Sequence, residues 1–201
     1  MKSGLEQAGS PAKRVLVTGG ARSGKSSFAE RYAASLSSDG TGIYIATLQP
    51  YDEEMRERTR LHQLRREQAA MAWRTIEEPL QAAALLDRLA ASRAPAVLLD
   101  CLTLWLTNWL LQVEHSPDRE TVLQAEIDRL ASAAAAYPGP IVLVTNEVGD
   151  GLVPEYPLGR LFRDWAGWLN QRVAGQCDEV FLVTAGIPVE LKKLAFTFEQ
   201  R

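Results

Sequence analysis

The chain has 201 residues, 46% hydrophobic and 23% charged, which is enough for one well-buried domain of ordinary soluble composition. A formal net charge of -3 gives no global attraction for nucleic acid or acidic membrane, and no apolar run reaches the roughly 18 residues of a membrane span. The two cysteines, Cys101 and Cys177, end core segments and are expected to be reduced and buried, which suits a cytoplasmic location.

Residues 1–13, with Gly4, Gly9, Ser10 and Pro11, read as a flexible leader, and residues 14–201 as a single domain. The apolar run Val15–Thr18 is a strand candidate. Gly19-Gly20-Ala21-Arg22-Ser23-Gly24-Lys25-Ser26 follows it directly, and Phe28, Ala29, Tyr32, Ala33 and Leu36 then recur at helical spacing. Strand, glycine-rich turn and helix together complete the G-x-x-x-x-G-K-[ST] pattern. Such a turn aims backbone N–H groups and a helix N-terminus at one point, where phosphate oxygens are held. Lys25 is expected to reach the terminal phosphates of a nucleoside triphosphate, and Ser26 to help hold Mg²⁺. The bland reading is a tight turn with a solvated lysine.

Further strand candidates lie at Gly42–Ala46, Ala96–Asp100, Ile141–Thr145 and Glu179–Thr184. Helix-compatible segments alternate with them, so the expected class is α/β, a mainly parallel central β-sheet flanked by helices. The charged segment Asp52–Gln68 reads as an exposed helix, and Glu78–Ala91 as an amphipathic one. Trp105 and Trp109 share a face of the helix after the third strand, where they serve core packing or a subunit contact. Ser116-Pro117 reads as the start of an alanine-rich helix that stops near Tyr137-Pro138, and Leu158–Ala174 as a last helix.

In an open parallel sheet, ligands gather beyond the carboxyl ends of the strands. Asp100 ends the third strand candidate and is a candidate for the acidic residue on Mg²⁺ or its water shell; an aspartate there is also a common turn residue. Glu147, after the fourth, suits metal or a ribose hydroxyl, with Asn146 as a turn organiser. If Asp52–Gln68 is helical, His62 lies on the side of Met55, Thr59 and Arg66, with Arg58 at its edge. Those arginines disfavour the imidazolium and attract phosphate, which suits a neutral imidazole poised to attack phosphorus. The pattern alone weighs a surface or packed histidine equally.

Taken in order, several segments resemble the bifunctional adenosylcobinamide kinase and adenosylcobinamide-phosphate guanylyltransferase family of cobalamin biosynthesis. They are the run from Leu16 to Ser26, Tyr44-Ile45-Ala46-Thr47, Asp52-Glu53-Glu54-Met55 with His62, and Trp73-Arg74-Thr75-Ile76-Glu77-Glu78-Pro79. The series continues through Leu99–Asn108, Thr145-Asn146-Glu147-Val148-Gly149, Phe162-Arg163-Asp164, Asn170-Gln171 and Gly186-Ile187-Pro188. The chain departs from that pattern in a longer spacing from His62 to Trp73, and in Trp168, where the family usually has arginine.

The resemblance implies a RecA-like P-loop nucleotide-binding fold carrying two activities. The first phosphorylates adenosylcobinamide with ATP or GTP; the second moves GMP from GTP onto adenosylcobinamide phosphate and releases pyrophosphate. It implies a guanylyl-histidine intermediate at His62, Arg58 and Arg66 beside the α-phosphate, and Glu77 and Glu147 at guanine or ribose. It also implies Asp100 on the metal side and a homotrimer, with no nucleic-acid partner. The rival expectations are a kinase without guanylyl transfer and a nucleotide-gated regulatory protein.

Overall fold

The computed structural model describes residues 12–49, 53, 71–92 and 94–196. Its strands are β1 (Arg14–Thr18), β2 (Thr41–Ala46), β3 (Ala72–Glu77), β4 (Ala96–Asp100), β5 (Ile141–Val144), β6 (Glu179–Thr184) and β7 (Ile187–Glu190). The helices described are α1 (Lys25–Leu36), α2 (Ala82–Ala90), α3 (Leu102–Gln112), α4 (Arg119–Ala136) and α5 (Pro157–Gln176). The helix expected over Asp52–Gln68 lies, apart from Glu53, outside the described residues, and so do Arg58, His62 and Arg66.

All seven strands join one sheet in the order β3-β2-β4-β5-β1-β6-β7. Every neighbouring pair is parallel except β6 with β7, which is antiparallel. The short strands are apolar throughout because both faces are covered, and successive side chains feed opposite layers. Leu16, Val97, Leu99, Ile141 and Leu143 enter the core shared with α2 to α5. Val15, Val17, Leu98, Val142 and Val144 enter the layer capped by α1 through Ala29 and Ala33.

Two strands escape a reading based on apolar runs. β3 alternates without a strongly apolar face, as Trp-Arg-Thr-Ile-Glu, because it lies at the sheet edge and pairs on one side only, with β2. β7 follows β6 after a two-residue turn, in which Ala185 and Gly186 both have positive φ, 50° and 80°. That is the backbone a tight hairpin requires.

Helix starts shift for local reasons. The α4 helix begins at Arg119, not at Ser116-Pro117, because Ser116 is spent on a preceding turn: its Oγ accepts from Asp118 N–H at 3.3 Å and its carbonyl from Arg119 N–H at 3.4 Å. α2 begins at Ala82, since the Glu78 carboxylate accepts from the N–H groups of Leu80 (3.3 Å) and Gln81 (2.8 Å) ahead of it.

Trp105 and Trp109 are both buried, at 1% and 9% exposure, so packing is their role within the chain. Their indole N–H groups donate to one acceptor, the Leu80 carbonyl, at 2.8 and 3.1 Å. This fixes α3 against the β3–α2 connection, and hence the end of β4 against the end of β3. Trp105→Ala should cost about 3–5 kcal/mol in urea denaturation, since it opens a cavity. Trp105→Phe should cost only roughly 1–2 kcal/mol, because Trp109 still satisfies the carbonyl.

Candidate phosphate-binding active site

The turn after β1 is shaped by what it must pass. A Cβ on Gly19 would lie 2.4 Å from the Val183 carbonyl oxygen and 2.7 Å from Ser23 Oγ. Only glycine lets the backbone through. Arg22 sits in the left-handed region at φ 56°, and Gly24, the residue before α1, has φ 94°. A left-handed arginine costs about 1–3 kcal/mol and persists only where its surroundings impose it. Those surroundings are in place: Ser23 N–H donates to the Gly20 carbonyl at 3.3 Å, and Gly186 N–H, from the β6–β7 turn, donates to the Ser23 carbonyl at 2.8 Å.

The helix this turn opens has no side-chain cap and no acidic residue in its first turn. Its leading N–H groups are therefore presented to whatever sits above the loop, with the positive end of the helix dipole behind them. Lys25 is buried to 9% exposure, and its ammonium donates to the Gly20 carbonyl at 3.0 Å, folding back over the loop. Among the described residues, the Thr18 and Ser23 hydroxyl oxygens are buried with no hydrogen-bond partner. A cradle of donors, one of them cationic, is what a phosphate chain needs.

Asp100 ends β4 in register with Val144 of β5, which is in turn level with Val17 of β1. Two inter-strand steps put its backbone roughly 10 Å across from β1. Its carboxylate is half-buried and accepts from Tyr44 O–H at 3.1 Å. Burial pushes the adjacent Cys101 thiol up to about 11; the Asp100 charge adds to the rise and the Lys25 ammonium opposes it. Lys25, Asp100 and Cys101 thus share one electrostatic neighbourhood. The Ser26 hydroxyl at the start of α1 and the Asp100 carboxylate are hard oxygen donors of the kind Mg²⁺ accepts alongside phosphate, so the residues present suit that ion.

Glu147 joins the same edge, its N–H donating to the Gly19 carbonyl at 3.2 Å, while its carboxylate accepts from Gly149 N–H at 2.7 Å. Glu77 is exposed and stands level with Ala46, two strands beyond Asp100. Four inter-strand steps separate it from β1, roughly 19 Å. The sheet therefore gathers the loop, Lys25, Ser26, Asp100 and Glu147, and leaves Glu77 at the far end of the same edge.

Beneath this edge lies a largely buried polar lattice, of which sequence reasoning gave a role only to Asn146, as a turn organiser. Thr47 Oγ donates to the Cys101 carbonyl at 2.7 Å and accepts from Cys101 N–H at 2.9 Å, tying β2 to β4. Asn108 donates to the carbonyls of Thr47 (2.8 Å) and Pro79 (3.0 Å). Asn146 donates to Thr103 Oγ at 2.6 Å, and Thr145 donates to Asn170 Oδ1 at 2.7 Å. A signal was present for most of them, since Thr47, Thr145 and Asn146 stand just after strands and Thr103 and Asn108 lie on the largely apolar α3. Among the described residues no group of three or more His, Cys, Asp or Glu is gathered, and no helix is long and apolar enough to cross a membrane.

A family profile described as cobinamide kinase / cobinamide phosphate guanyltransferase matches residues 15–191. The bifunctional adenosylcobalamin biosynthesis protein CobP of Pseudomonas aeruginosa is 47% identical over 180 residues, covering 89% of this chain and 97% of the relative. The bifunctional adenosylcobalamin biosynthesis protein CobU of Salmonella typhimurium is 43% identical over 189 residues, covering 89% and 99%. In structure, the chain resembles the ATPase domain of G40P, with a TM-score of 0.50 at 13% identity, over 86% of this chain and 70% of that one. That likeness concerns the fold alone.

Gly19→Ala should destabilise the protein by about 2 kcal/mol or more and abolish nucleotide binding by calorimetry, because its methyl group would meet a backbone carbonyl. At pH 8 the Cys101 thiol stays almost wholly protonated, with about one part in a thousand as thiolate. Iodoacetamide should therefore leave it unlabelled in the native protein and label it in urea, as read by peptide mass.

Proposed function

This chain belongs to the cobinamide kinase / cobinamide phosphate guanyltransferase family, and we propose that it is a bifunctional enzyme that phosphorylates adenosylcobinamide and then guanylylates the product. The observation that carries this reading is the uncapped α1 N-terminus with Lys25 folded over it, at the sheet edge where Asp100 also ends.

In the kinase step the loop amides and Lys25 hold the phosphates of ATP or GTP, and the aminopropanol hydroxyl of adenosylcobinamide attacks the γ-phosphorus. The bond to the bridging oxygen breaks, the nucleoside diphosphate leaves and the hydroxyl proton is released to solvent. Charge builds on the transferring oxygens, where fixed donors in a partly dehydrated site act strongly. Ser26, and Asp100 directly or through water, would hold Mg²⁺, which would supply further neutralisation of phosphate charge.

In the second step an imidazole nitrogen of His62 attacks the α-phosphorus of GTP, a P–N bond forms and pyrophosphate leaves. The phosphate of adenosylcobinamide phosphate then attacks the same phosphorus, the P–N bond breaks and adenosylcobinamide-GDP is released. Arg58 and Arg66 flank the α-phosphate in this reading, and Glu77 and Glu147 serve guanine or ribose. The placement of Glu77, far along the edge from β1, supports a role away from the β- and γ-phosphates. The assembly proposed is a cytoplasmic homotrimer, with residues 14–201 acting as one domain.

Lys25→Ala should lower kinase kcat/KM by at least roughly a hundredfold, since a fixed positive charge at the transferring group is lost. GTP labelled at the α-phosphorus should leave an acid-labile, alkali-stable label that maps to the peptide containing His62. His62→Ala should lose that label and keep measurable kinase activity; covalent GMP retained by this variant would contradict the assignment.

A further inference from the structure

The loop between β5 and α5 has a feature that phosphate binding does not use. Leu152 is 96% exposed, Val153 66% and Tyr156 64%, three apolar side chains within five residues of one another on a segment that is tied down on both sides. Arg163 donates to the Gly149 carbonyl before them. Arg160 donates to the carbonyls of Pro154 (3.1 Å) and Glu155 (2.6 Å) among them. Gly159 completes the base: a Cβ there would lie 2.7 Å from both Pro154 Cβ and the Tyr156 ring, so α5 packs directly on the loop.

The position of these residues is also bounded. β5 ends at Val144 and the next parallel strand, β6, begins at Glu179, so α5 runs back along the sheet and its first turn stays at the carboxyl edge. The loop leaves that edge at Glu147, whose N–H is bonded to Gly19 of the phosphate turn. Five residues of chain reach at most about 17 Å, so Leu152 lies within that distance of Glu147.

We propose that Leu152, Val153 and Tyr156 form the platform for the corrin macrocycle of the acceptor. This rests on the functional reading above. A corrinoid is a broad amphiphile with an apolar rim and amide arms, and only its aminopropanol arm has to reach the γ-phosphorus. An apolar surface on a tethered loop, within about 17 Å of Glu147, meets that need: it holds the ring at the rim while the arm enters the edge. Loops at this end of a parallel sheet are where acceptor recognition is placed in such folds.

The test is the double variant Leu152→Ser/Val153→Ser, both changes being on solvent-exposed side chains that the fold does not need. Kinase assays should show KM for adenosylcobinamide raised tenfold or more, with KM for ATP within twofold of the parent. Equilibrium dialysis with cobinamide, read by corrin absorbance, should show the matching loss of affinity. An unchanged corrinoid KM would overturn the proposal. So would sedimentation of the variant as a smaller species than the parent, which would make these residues an interface between copies. Failure of the parent enzyme to phosphorylate adenosylcobinamide at all would instead sink the functional reading.

Discussion

Between β1 and α1 the backbone passes the Val183 carbonyl so closely that no side chain can stand at Gly19, and it then enters the helix through a left-handed Gly24. This passage leaves the first N–H groups of α1 without internal partners and turns them outward. Every other feature of the candidate site is arranged around that opening. The β6–β7 turn holds the Ser23 carbonyl, β5 hands Glu147 to the Gly19 carbonyl, and Lys25 closes over Gly20. The cradle is thus clamped from both neighbouring strands. Its left-handed Arg22 is tolerable because the surrounding hydrogen bonds leave the chain no alternative path.

The parallel sheet gives this opening its chemical surroundings. Neighbouring strands end at the same level, so Val17, Val144, Asp100, Ala46 and Glu77 form one row along the carboxyl edge. A carboxylate at two of those positions places acidic groups at roughly 10 and 19 Å from β1. The nearer one shares the field of Lys25, and the farther one stands at the opposite end of the row. The Thr47, Asn108, Asn146 and Asn170 hydrogen bonds keep these strand ends from fraying beneath a charged ligand.

Much of this was legible in the residues. The phosphate turn could be read outright because glycine spacing, lysine and a following helix period all demand one geometry. The strands with continuous Val, Leu and Ile content were equally plain, since burial on both faces leaves no other composition open to them. β3 was missed because an edge strand with one covered side carries no such signature, and β7 because Ile187-Pro188-Val189-Glu190 is too short to stand apart from its turn. The start of α4 was misplaced by two residues at Ser116-Pro117, where a serine suited to capping serves a turn instead. His62, Arg58 and Arg66 were read from the family resemblance and from their helical spacing, and they lie outside the described residues. The polar lattice was legible only as composition, because which asparagine meets which carbonyl depends on the crossing of α3 and α5 over the sheet.

The central claim is that a triphosphate is held by the backbone between β1 and α1. Amide chemical shifts of isotope-labelled protein, followed during titration with a non-hydrolysable GTP analogue and magnesium, test it most directly. The account expects the largest shifts at Gly20 to Ser26, saturating with nucleotide, and their disappearance when the analogue is replaced by guanosine. Saturable shifts confined to other parts of the chain, with those amides unmoved, would contradict it.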